Sequence, residues 1–119
     1  ACEEIFLRAE IEQIQLAWSF MHEDETLLCP FPNRMNEAFI LSTLCKTRIG
    51  PDDKIYDCAL EYQRKSRITP KDALHLASAN FIGADYFLSC DNRLLNQAKR
   101  LELEIVISNP VDYIRLEDI

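Results

Sequence analysis

Two rhythms of apolar residues alternate along this chain: a stripe recurring every three or four positions, and short unbroken apolar runs. Residues 1–13 carry the first, with Ile5, Phe6 and Ala9 on one stripe and acids opposite, which predicts a helix. Residues 14–19 are apolar and β-competent apart from Gln15, which predicts a strand. Helical spacing returns over 20–28. It must stop at Cys29-Pro30-Phe31-Pro32, because proline removes a backbone donor and restricts the residue before it. Asn33 suits the cap of a helix running to about Arg48, with Met35, Phe39 and Ile40 as its apolar stripe. Gly50-Pro51-Asp52 reads as a turn and helix start, opening a helix to about Ser66 with Ile55, Cys58, Ala59 and Tyr62 inward. Another helix is expected over 69–82, closed by Gly83 in a left-handed cap. Short apolar strands are expected at 86–89 and 104–108, on either side of a helix over 91–101. This alternation predicts an α/β fold with helices on both faces of a small parallel sheet.

The chemistry concentrates in the second half. Pro70-Lys71-Asp72-Ala73-Leu74-His75-Leu76-Ala77 starts a helix with an acid in its opening turn. Tyr86-Phe87-Leu88-Ser89-Cys90-Asp91 is a short strand that delivers an acid at its carboxyl end, where the next helix begins. Ligands of parallel α/β sheets sit outside the carboxyl ends of the strands. Two carboxylates aimed there suit a divalent cation. Each also has a local explanation: Asp72 stands three residues after Thr69, as in a capping box, and Asp91 is a favoured N-cap residue. Small Ala73, Ala77 and Ala79 let the first of these helices lie close on a sheet.

Those segments, followed by Asn92-Arg93-Leu94-Leu95 and by Ile105-Val106-Ile107-Ser108-Asn109-Pro110, resemble the C-terminal half of a PIN domain, most closely over 69–113. PIN domains are metal-dependent nucleases, and many bacterial ones are toxins of VapC-type toxin–antitoxin pairs. The resemblance implies a PIN-like three-layer fold over residues 1–119 and Mg²⁺- or Mn²⁺-dependent hydrolysis of RNA. It assigns Glu25, Asp72 and Asp91 as catalytic metal ligands, with Ser89 in support and Lys71 and Arg93 contacting phosphate. Glu25 is chosen over Glu23 because it follows the end of the 14–19 strand by about one and a half helical turns. The family's first strand lies mid-sheet and carries an aspartate, and no such segment occurs in this sequence. The expectation is a domain shortened at its N-terminus, with strands 14–19 and 86–89 each lacking a neighbour and a homo-oligomer formed in consequence. A PIN-like module that binds a partner protein without cleaving anything is the alternative reading. A receiver or phosphohydrolase domain fits less well, for want of an aspartate after an early strand.

Composition bounds these readings. A length of 119 residues suits one hydrophobic core. No apolar run approaches the ~20 residues of a membrane span. Five cysteines without a CxxC or Cys/His cluster argue against zinc and suggest reduced thiols in a cytoplasmic protein. The net charge of −7 opposes nucleic-acid binding in the absence of metal. Basic residues nonetheless approach the acids, with Arg64, Lys65, Arg67 and Lys71 before Asp72 and Arg93 after Asp91. They suit either helix C-termini or phosphate. Neither His22 nor His75 has a nucleophile partner at a recognisable spacing, and a packed, hydrogen-bonded role is expected for His75.

Overall fold

The computed structural model describes residues 2–117. Among them lie seven helices and four strands in two compact units, Cys2–Pro51 and a second that begins at Asp52.

In the first unit, α1 (Cys2–Glu10) buries Ile5 and Ala9. It stops earlier than its apolar stripe suggests, because Glu12 adopts a left-handed backbone with φ of 62°. The Gln13 amide then donates to Arg8 O at 2.9 Å, closing the helix end. Strand β1 (Leu16–Ser19) runs straight into α2 (Phe20–Leu27), and Ser19 is at once the last strand residue and the helix cap. Cys29-Pro30-Phe31 breaks the chain as expected. The next helix, α3 (Pro32–Ser42), is capped by Phe31 without a side-chain bond rather than by Asn33. Pro32 replaces the missing signal, since its fixed φ suits the first helical position and its lost donor is not needed there.

The expected continuation of this helix to Arg48 is wrong. Ser42 and Thr43 turn their hydroxyls back onto Phe39 O and Ile40 O, both at 2.6 Å, where they mark the helix end. Beyond it, Cys45–Ile49 forms a strand, β2, whose residues alternate between covered and exposed positions. It pairs in parallel with β1, placing Trp18 beside Arg48 and Ser19 beside Ile49. Period two, with β-branched Thr47 and Ile49, fits a strand better than a helix.

The second unit opens with α4 (Asp53–Lys65), capped by the Asp52 carboxylate, which accepts from Lys54 N at 2.8 Å. Ile55, Ala59 and Tyr62 are buried, while Cys58 is half-buried. Helix α5 (Pro70–Phe81) packs on α4, burying Ala73, Leu76, Ala77 and Ser78. Gly83 closes it at φ 67°, with Ala84 N donating to Ala79 O at 3.0 Å and Gly83 N to Asn80 O at 3.1 Å. A methyl group added at Gly83 would meet nothing within 4 Å. Replacing Gly83 by Ala should therefore lower stability through backbone strain alone, by about 1 kcal/mol in urea denaturation. An unchanged midpoint would show that this turn needs no left-handed residue.

After this turn come β3 (Tyr86–Leu88), α6 (Asn92–Lys99), β4 (Val106–Ser108) and α7 (Pro110–Glu117). Strands β3 and β4 pair in parallel, with Phe87 beside Ile107. Leu94, Leu95, Ala98, Leu101, Ile105 and Tyr113 complete the apolar core of this unit. The fold is thus α/β with parallel pairing, as the alternation predicts. Its strands form two two-stranded sheets, β1–β2 and β3–β4, where one sheet was expected. Each of β1 and β3 pairs along one side only among the described residues.

Candidate functional site

Asp91 stands three residues beyond β3 and caps α6. Its Oδ1 accepts from Arg93 N at 2.9 Å and Leu94 N at 3.3 Å, so this oxygen holds the helix start. Ser89 Oγ accepts from the Asp91 amide at 3.1 Å and fixes the backbone that presents the acid. The carboxylate is exposed, and Oδ2 makes no hydrogen bond among the described residues. Capping therefore uses half of the group and leaves the other half facing water.

Asp72 is half-buried in the first turn of α5. Thr69 Oγ1 accepts from its amide at 3.2 Å, the first half of a capping box. The second half, a bond from the Thr69 amide to the Asp72 carboxylate, is not formed among the described residues, so the cap uses Thr69 and not the Asp72 carboxylate. Lys71 and Arg93, beside the two acids in sequence, are both exposed. Arg64 and Lys65 instead pair with Glu61 at 3.3 and 3.7 Å on the last turn of α4, the solvated helix-end role.

In the first unit, the expected acids follow β1 on α2. Ser19, 2% exposed, caps this helix in a full box whose return partner is a histidine: Ser19 N donates to His22 Nδ1 at 3.0 Å. The sequence signal for such a box is Ser/Thr followed three residues later by Glu or Gln, and His22 does not match it. The His22 ring stacks on Trp18 at 5.5 Å between centroids and 28° between planes. Trp18 Nε1 donates to Glu23 Oε2, and the Arg48 guanidinium lies 5.9 Å from the indole centre. Glu23 is thus tied to the indole. Glu25, half-buried, lines an open cleft of about 330 Å³ with Trp18, His22, Cys29, Arg34 and Met35.

Within either unit, no three His, Cys, Asp or Glu side chains gather as a metal cluster among the described residues. Of the acids expected to hold metal, Asp72 lies in the first turn of α5 and Asp91 at the start of α6, both in the second unit. These are hard oxygen donors of the kind magnesium takes one or two at a time, with water and phosphate completing its shell. Cys29, Cys45 and Cys58 are half-buried and Cys90 is exposed, all four as free thiols. Burial pushes the Cys45 thiol above its ordinary range, with Arg48 opposing the shift. No helix among the described residues is long and apolar enough to cross a membrane. Comparison with known proteins returned no matching family model, no matching curated protein and no matching solved structure.

Proposed function

We propose that this chain carries the acid residues of a PIN-type, Mg²⁺- or Mn²⁺-dependent endoribonuclease. One observation supports the reading above the others. Helix α5 presents Asp72 in its first turn, turns back through Gly83 into β3, and β3 leads to Asp91, whose carboxylate is half-used by its cap. The resemblance orders the same parts in the same way.

In this reading Asp72 and Asp91 hold the cation, and Ser89 keeps Asp91 in place through the bond to its amide. Lys71 and Arg93 offer exposed cations to the phosphates, and Glu25 is the further carboxylate that the resemblance implies. When bound, the metal would acidify a water molecule and neutralise charge on the scissile phosphate. Toxin activity held in check by an antitoxin, and self-association of the chain, belong to the same proposal.

The test is cleavage of RNA by the chain, alone and extended upstream by an aspartate-bearing strand, in Mg²⁺, Mn²⁺ or EDTA. Cleavage that needs the metal and falls in Glu25→Gln and Asp72→Asn supports the reading. Metal-independent cleavage contradicts it. Absence of cleavage in the extended, folded chain would favour the protein-binding alternative.

A further inference from the structure

The cleft of the first unit has more chemistry than a carboxylate site needs. Strand β1 and helix α2 line it with Trp18, His22, Glu25 and Thr26, and α3 lines it with Arg34, Met35 and Ala38. Its volume of about 330 Å³ is at the lower end for small-ligand sites, enough for one base with its sugar. Two rings already stacked on each other, Trp18 and His22, provide an aromatic platform. Met35 and Ala38 add aliphatic surface, and Arg34 is exposed. With one arginine and one glutamate in the lining, phosphate charge cannot drive binding here. Stacking can, because every base has a π-face that an aromatic side chain can meet.

We propose that this cleft receives one unstacked base of a single-stranded RNA, stacked against the Trp18–His22 pair, with Arg34 meeting the adjoining phosphate. The inference rests on the ribonuclease reading for its ligand and explains how a chain of net charge −7 could hold RNA at all. Aromatic stacking on a single-stranded base is strong enough to change affinity by tenfold or more. Contact with one phosphate gives only a shallow salt dependence, a slope near −0.7 in log affinity against log salt.

Trp18 is the sole tryptophan, so its fluorescence reports on the cleft directly. The intact chain, in EDTA, is titrated with a six-nucleotide single-stranded RNA and with the same strand made abasic. Saturable quenching by the first, binding at least about tenfold weaker for the second, and the shallow salt slope are expected. Ala38→Phe, which fills the cleft, should weaken the RNA by about tenfold or more. Arg34→Ala, at an exposed position, should weaken it a few-fold and flatten the salt slope, with circular dichroism confirming both folds. Equal binding of the abasic strand, a steep salt slope, or undiminished binding by folded Ala38→Phe would overturn the inference. Base-dependent quenching without metal-dependent cleavage would instead sink the nuclease reading and leave the cleft as an RNA site. Cleavage without base-dependent quenching would sink the cleft alone.

Discussion

Asp91→Asn should abolish metal-dependent RNA cleavage while leaving the fold intact. The expected loss is about 100-fold or more, since a metal at a developing phosphate charge contributes several kcal/mol. Stability should barely change. Asparagine caps helices about as well as aspartate, so the amide oxygen of the substituted side chain can take over the bonds from Arg93 N and Leu94 N that Oδ1 now accepts. The substitution removes the charge and keeps the shape. Asp91→Ala is the contrasting variant: it should also cost about 1 kcal/mol of stability, because α6 loses its cap. Cleavage assays beside thermal melts of both variants separate the two roles. Full activity in Asp91→Asn would remove this residue from the site.

The largest loss of stability is expected from Leu76→Ala. Leu76 is fully buried, 0% exposed, with the buried Ala73 and Ala77 beside it on α5, the helix that packs on α4. Its alanine neighbours bring the backbones close and have no spare side chain to fill a void. A cost of about 2–5 kcal/mol follows from lost burial plus the cavity. That is a large share of the roughly 5–15 kcal/mol that holds a domain together. The melting temperature should fall by about 10 °C or more. Leu60→Ala, on the exposed side of α4 at 54% exposure, should change it little. If the two variants melt alike, the α4–α5 interface is not the core of the second unit. The same interface orients the first turn of α5, so Leu76→Ala also tests whether Asp72 acts from a rigid position.

Local sequence determined those parts of the protein whose partners are near in the chain. Helices α4, α5 and α6 lie within about three residues of their expected bounds, because cap residues, prolines and apolar stripes all act within a turn or two. The left-handed Gly83 was legible for the same reason, and so were the roles of Thr69 and Asp91 as caps. Tertiary structure decided what depends on distant partners. Residues 45–49 continue a helical stripe well enough on paper, and they become a strand because β1, some 30 residues earlier, offers a parallel ladder. The division of four strands into two sheets is likewise a matter of which edges meet, on which hydrophobic pattern is silent. Nothing in the residue types marked His22 as the partner of Ser19, nor Trp18, Met35 and Ala38 as walls of one cleft. Those placements follow from the packing of α2 on β1 and α3 across the proline turn. Side chains that share a helical turn can be read from spacing, whereas side chains brought together by the packing of separate elements can be read only from the fold.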